Sequence, residues 1–148
     1  RFYDSNKYDD AWFRSLTPDL KCVYDYCLCE CNHAGILKLD IDAMTFKIKP
    51  HTRLTDELIA DTFKDKFVYL SDNKIFIPKF LYWQYKNELT PANSVHRSVV
   101  KILQEEGIRI EAYLAQYVLT EDFNNWGDLL REMKEDGCSY KDILNSRK

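Results

Sequence analysis

The chain is poor in the residues that break structure and lacks the motifs that mark catalysis. It has only four glycines and four prolines among 148 residues. With no low-complexity linker and no internal repeat, it reads as one domain carrying a short appendage. No apolar run approaches the ~18 residues that suggest a membrane span. No signal-peptide pattern opens the sequence, so the expectation is a soluble, cytoplasmic protein with no membrane partner. Three histidines, His33, His51 and His96, are too scattered to form a catalytic constellation. There is no nucleophile elbow, phosphate-binding loop, dinucleotide fingerprint or HExxH motif. Asp40 and Asp42 are paired carboxylates, but they stand where a strand meets a helix, and Asp42 reads as a helix cap. The chain is therefore expected to be non-enzymatic and to need no cofactor.

Cysteine is present in an odd number: Cys22, Cys27, Cys29, Cys31 and Cys138. Four of the five crowd into one expected helix, which fits reduced cytosolic thiols better than a disulfide framework. The spacing Cys27-x-Cys29-x-Cys31-x-His33 superficially suggests a metal site. On a helix of about 100° per residue, however, Cys27 and Cys31 share a face and Cys29 points away. Zinc needs converging ligands, so these thiols read as small buried hydrophobes and no metal is expected.

What is present is a packing-competent composition, 45% hydrophobic and 14% aromatic, and an uneven charge distribution. Residues 45–104 hold ten basic side chains against six acidic ones, a net +4. That leaves −7 for the rest of a chain whose total is −3. A mildly basic centre between acidic ends is compatible with phosphate contact. Mixed charge on a solvated surface accounts for it equally well.

The most informative stretch is residues 55–80. Thr55 is an N-cap, Asp56 and Glu57 fill the first turn, and Leu58, Ile59, Thr62 and Phe63 lie along one face. Lys64 and Lys66 suit the negative C-terminal end of this helix. Two β-branched and aromatic runs follow, residues 67–70 and 75–77, joined by the turn formers Ser71-Asp72-Asn73-Lys74. Pro78 has no N–H to donate and limits the second strand. A capped helix followed at once by a hairpin is the helix-plus-wing unit of a winged helix-turn-helix.

Upstream, residues 10–16 form a short helix anchored by Trp12 and Phe13. Thr17-Pro18-Asp19 starts another, whose apolar stripe runs through Leu20, Val23, Tyr24, Cys27, Leu28 and Cys31. Asn32-His33-Ala34-Gly35 ends it, with Gly35 as the turn residue. Residues 36–40 alternate as a short strand. Residues 41–46 then form a brief helix packing Ile41, Met44 and Phe46. Downstream, Tyr82, Trp83 and Tyr85 make an aromatic cluster that serves either the core or base stacking. Thr90-Pro91 opens a helix with Val95, Val99, Ile102 and Leu103 on one face and Gly107 as terminator. Residues 108–119 fit a helix and a strand almost equally. Trp126, Leu129, Leu130 and Met133 mark a helical stripe. Ser139 and Asp142 start a last short helix.

The segments DSNKYDDAWFRSLTPDLK (4–21), CNHAGI (31–36), FIPKFLYWQY (76–85) and SVHRSVVKILQEEGI (94–108) together resemble a family. They are similar to phage and prophage replisome-organiser-like proteins with a DnaD-type N-terminal winged-helix domain. The resemblance covers roughly residues 4–108 and implies a winged-helix domain over residues 1–108; residues 109–148 fall outside it and are expected to form a helical extension, packed on that domain or used for oligomerisation. The overall class is α+β, mostly α. It also implies a phage-encoded, DNA-binding protein in the cytoplasm of a bacterial host, acting in replication initiation. The candidate phosphate contacts are Lys47, Lys49, Arg53, Lys64, Lys66, Lys74, Lys79 and Lys86. The acidic start of the 55–63 helix shifts expected DNA contact onto the wing. The alternative is a protein-interaction module that docks a host or phage replication protein, or forms a homodimer, without binding DNA.

Overall fold

The computed structural model describes residues 6–85, 89 and 92–108. Among them the fold is α+β and mostly helical, with six α-helices and one small antiparallel sheet. The backbone divides into two units, Arg1–Gln84 and Tyr85–Lys148.

In the first unit a 3-10 turn leads into α1 (Ala11–Ser15), where Asp10 accepts a hydrogen bond from the Phe13 N–H. Thr17 caps α2 (Pro18–Glu30) by accepting from the Leu20 N–H, and Pro18 opens its first turn. Val23, Tyr24, Cys27 and Cys31 are buried on one face, while Leu20 and Leu28 are half-buried. Lys7 pairs with Asp25 and fastens the first turn to α2.

The end of α2 is built by Asn32 and Gly35. The Asn32 side-chain oxygen accepts from the Ala34 and Ile36 N–H groups at 2.9 and 3.0 Å. Gly35 takes φ +79, a left-handed conformation cheap only for glycine. The chain then enters β1 (Ile36–Lys38) and α3 (Ile41–Ile48). The N-cap of α3 is Asp40, whose carboxylate accepts from the Ala43 N–H at 3.0 Å. Asp42, expected in that role, lies instead inside the first turn, because the helix starts at Ile41 and its cap is the residue just before it. Met44 is fully buried, but Phe46 is 77% exposed. Once the helix runs on to Ile48, Phe46 is about 200° around from Met44 and cannot share its face.

Thr55 caps α4 (Asp56–Thr62) by accepting from the Leu58 N–H at 3.1 Å, and Ile59 and Phe63 are fully buried. β2 (Val68–Tyr69) and β3 (Lys74–Phe76) follow. Asp72 and Asn73 both take φ +58, as a type I′ hairpin turn requires, and Asp and Asn tolerate that region better than most residues. Lys74, expected in the turn, is the first residue of β3. The sheet order is β1-β3-β2, all antiparallel, with β3 central. Flanked on both sides, Ile75 and Phe76 are wholly buried.

Pro78 both ends the hairpin and opens α5 (Pro78–Tyr85). Its missing N–H is no loss in a first helical turn. Aromatic rings join the helices of this unit. Tyr24 stacks on Phe63, Phe63 stacks on Phe67 with centroids 4.7 Å apart, and Trp12 meets both Tyr24 and Phe63 edge-on.

In the second unit α6 (Ser94–Glu105) is capped by Asn93, which accepts from the Val95 N–H at 2.9 Å. Thr90 and Pro91, the expected start, lie outside the described residues. Val99, Val100 and Leu103 are buried, and Val95 is 48% exposed rather than packed. It sits in the first turn, ahead of the buried stripe. Gly107, at φ +72, closes the helix. Its N–H donates to Gln104 and the Ile108 N–H donates to Leu103, which satisfies two terminal carbonyls. Every expected element beyond residue 108 lies outside the described residues.

Candidate nucleic-acid interface

Among the described residues no polar or charged side chain is buried. The chemistry available to the described residues is therefore on their surface. The expected cations fall into three groups. Lys47, Lys66 and Lys79 are engaged within the fold. Lys47 approaches Glu30 at 3.7 Å and lies over the Tyr26 ring. Lys66 sits 4.6 Å from the centre of the Trp12 ring, and Lys79 faces Asp10 at 3.8 Å. These contacts brace α2, α1 and α5, and they draw cationic heads away from a shared face. Lys49 and Lys64 are exposed at the C-terminal ends of α3 and α4. Lys86 lies outside the described residues.

The third group is brought together by the sheet. Lys38 and Lys74 stand directly opposite each other in the β1–β3 pair. Lys38 and Arg53 both line an open groove of about 800 Å³, which also takes in Asn73 of the hairpin turn. The turn is fixed to the end of β1 by two bonds. The Asn73 side chain donates to the Leu39 carbonyl, and the Leu39 N–H donates to the Asn73 carbonyl, both at 2.8 Å. Lys38 was missing from the expected contacts. Alternation would put it on the face of the buried Ile36, and it is exposed because it stands at the last position of β1.

The same groove carries acid. Asp40, Asp42, Asp56 and Glu57 line it, so carboxylates outnumber the two cations on its walls. The Asp40 carboxylate and the Thr55 hydroxyl also serve as helix caps. Asp56, Glu57 and Asp61 are all exposed on α4, with Lys64 following the helix as a cation.

The connection between α3 and α4 is held by a single side chain of α2. Asp19 accepts from the Thr52 N–H at 2.9 Å, the Thr52 hydroxyl at 2.8 Å and the His51 N–H at 3.2 Å. These bonds, the Thr52 N–H first, favour the ionised carboxylate and hold its pKa below the usual value. Asp10 is lowered in the same way, chiefly by the Phe13 N–H it caps.

The cysteines sit as helical geometry requires. Cys27 and Cys31 are buried, and Cys22 and Cys29 are exposed. Burial pushes the Cys27 thiol up to about 12. Among the described residues no group of three or more His, Cys, Asp or Glu side chains is arranged to hold a metal. The aromatic trio is divided: Tyr82 and Trp83 meet edge-on at 5.0 Å, whereas Tyr85 meets His96 at 5.2 Å. No helix among the described residues is long and apolar enough to cross a membrane.

Compared with known proteins, the chain matches no family model, no curated protein and no solved structure.

Proposed function

We propose that residues 18–76 form a winged helix-turn-helix and that the chain is a non-enzymatic DNA-binding protein, acting in phage replication initiation as its sequence resemblance implies. The element order supports the fold reading. α2, β1, α3, α4, β2 and β3 follow in sequence, and β1 adds to the outer side of the β2–β3 hairpin to give the sheet order β1-β3-β2. A three-stranded sheet of this kind presents its hairpin turn as a wing.

The observation that carries the functional reading is the pairing of Lys38 with Lys74 beside the hairpin turn, with Arg53 on the adjoining groove. Like charges directly opposite on a sheet cost stability, so such a pair is more useful against an anion than against its neighbour. Phosphate contacts of this kind position a protein on DNA without reading bases. The exposed acids of α4 oppose deep entry of that helix into a groove of DNA, which leaves the wing side as the contact. Titration with duplex DNA at low salt tests this. Wild type should bind more tightly than the ~10⁻⁴ M end of the non-specific range, and Lys38→Glu with Lys74→Glu should flatten the log–log salt slope by about 1.8. No binding by wild type, or an unchanged slope in the double variant, refutes it.

A second reading rests on α4 itself. Asp56, Glu57 and Asp61 form an exposed acidic face suited to a basic protein surface. That reading expects a stoichiometric partner that survives nuclease treatment and is lost when Asp56 and Glu57 are both changed to Lys.

A further inference from the structure

The eleven residues 45–55 contain no acid and hold Lys47, Lys49, His51 and Arg53. Phe46, the most exposed large apolar side chain among those described, stands at the start of this run at 77% exposure. A ring left in water on a helix whose Met44 is fully buried is not serving the core. Lys49, the C-cap, follows Phe46 by three residues, so their backbones lie within about one helical turn of each other. Lys49 closes the helix at φ +53 with its N–H on the Thr45 carbonyl, and it has no acidic partner among the described residues.

Two features make this a held surface. Asp19 receives His51 and Thr52, so the chain after α3 is tied to the start of α2. The acids that α2 brings to this segment are engaged, Glu30 with Lys47 and Asp19 with the backbone. What remains is one exposed ring with cations after it and one exposed carboxylate, Asp42, a turn before it on α3.

We propose that Phe46 and Lys49 form a contact for single-stranded nucleic acid, distinct from the Lys38–Lys74 face, with Phe46 stacking on one base and Lys49 meeting the adjoining phosphate. The inference rests on the nucleic-acid reading above and adds a strand preference to it. Charge complementarity selects the occupant: phosphates match the acid-free run, and a base matches the area of a single ring. One phenylalanine among lysines offers too little apolar area for a stable protein interface.

The test uses the full chain, a labelled oligothymidylate and a duplex of mixed sequence, both at low salt. Phe46→Ala should weaken oligothymidylate binding about tenfold, within the range of base–aromatic stacking, and leave duplex binding unchanged. Phe46→Trp should restore the affinity and show quenched emission when the oligonucleotide binds. Lys49→Glu should reduce the single-strand salt slope by about 0.7. Since Phe46 is exposed, its variants should keep the wild-type circular dichroism spectrum. Unchanged oligothymidylate affinity in Phe46→Ala overturns the proposal. So does a loss of affinity that tracks the dissociation of a dimer in sedimentation, or a loss on anionic vesicles with none on DNA. If wild type binds duplex but not oligothymidylate, only this inference fails. If it binds neither, the DNA reading fails with it.

Discussion

Gly35→Ala is the most incisive perturbation of this fold, because two independent costs meet at one atom. The first is conformational. Gly35 sits at φ +79, and a side chain in the left-handed region costs about 1–2 kcal/mol. The second is steric. A Cβ at this position would stand 3.0 Å from the Ile77 carbonyl oxygen and 3.2 Å from Phe80 Cδ1. Phe80 can rotate slightly, but the Ile77 carbonyl belongs to backbone at the end of β3. Retreat from it would also stretch the 2.8 Å bond from the Ile77 N–H to the Gly35 carbonyl. Overpacking of this kind costs about 1–3 kcal/mol. Together the two give about 3 kcal/mol, a large share of the ~5–15 kcal/mol that holds a typical domain. For a unit of this size the melting temperature should fall by roughly 12–24 °C. Circular dichroism melts and urea titration both read this. Gly107→Ala is the control, since Gly107 has φ +72 but nothing within 4 Å of the new Cβ. It should lose only the conformational part, about 1–2 kcal/mol. A loss below about 1 kcal/mol for Gly35→Ala would refute the close approach of the α2–β1 turn to the start of α5.

Two further outcomes follow from the hydrogen bonds and burial. Asp19 has a lowered pKa, so the stability it adds is present above the usual carboxylate range and is lost as pH falls through its lowered value. The protection factors of the His51 and Thr52 amides, taken against the intrinsic exchange rate at each pH, should therefore hold through mildly acidic pH and fall only at lower pH, and Asp19→Ala should abolish that protection at neutral pH. Thiol alkylation of the native protein at neutral pH, read by peptide mass, should modify Cys22 and Cys29 and spare Cys27 and Cys31. Denaturant should make all four react, and early labelling of Cys27 would contradict its burial and its pKa of about 12.

Local chemistry made much of the fold legible. Thr17 and Thr55 work as caps within three residues of the N–H groups that donate to them, so they can be read from short strings. The opposite faces of Cys27 and Cys29 follow from helical period alone. Asp72-Asn73 advertises a turn because both residues tolerate positive φ. The misplacement of Phe46 had a local cause as well. The string Ile41-Met44-Phe46 mixes a helical spacing with a strand spacing, and only the length of α3 decides between them. α5 was missed because Pro78 signals the end of a strand and the start of a helix with the same absent N–H.

The arrangement of charge was not legible in this way. Within the first unit, three of the described cations of the mildly basic centre are engaged by other parts of the fold. Lys66 is drawn over Trp12, Lys79 to Asp10 and Lys47 to Glu30, because ring faces and carboxylates from distant segments lie within reach. Lys38 joins Lys74 only through the register of β1 on β3. Asp19 reaches Thr52 across 33 residues. By itself, then, the sequence determined the caps at Thr17 and Thr55, the Asp72-Asn73 turn and the opposed faces of Cys27 and Cys29, since those depend on neighbours within about a helical turn. The tertiary structure alone decided which cations meet, which are neutralised and which ring is left in water, because pairing across strands and helices depends on register and length.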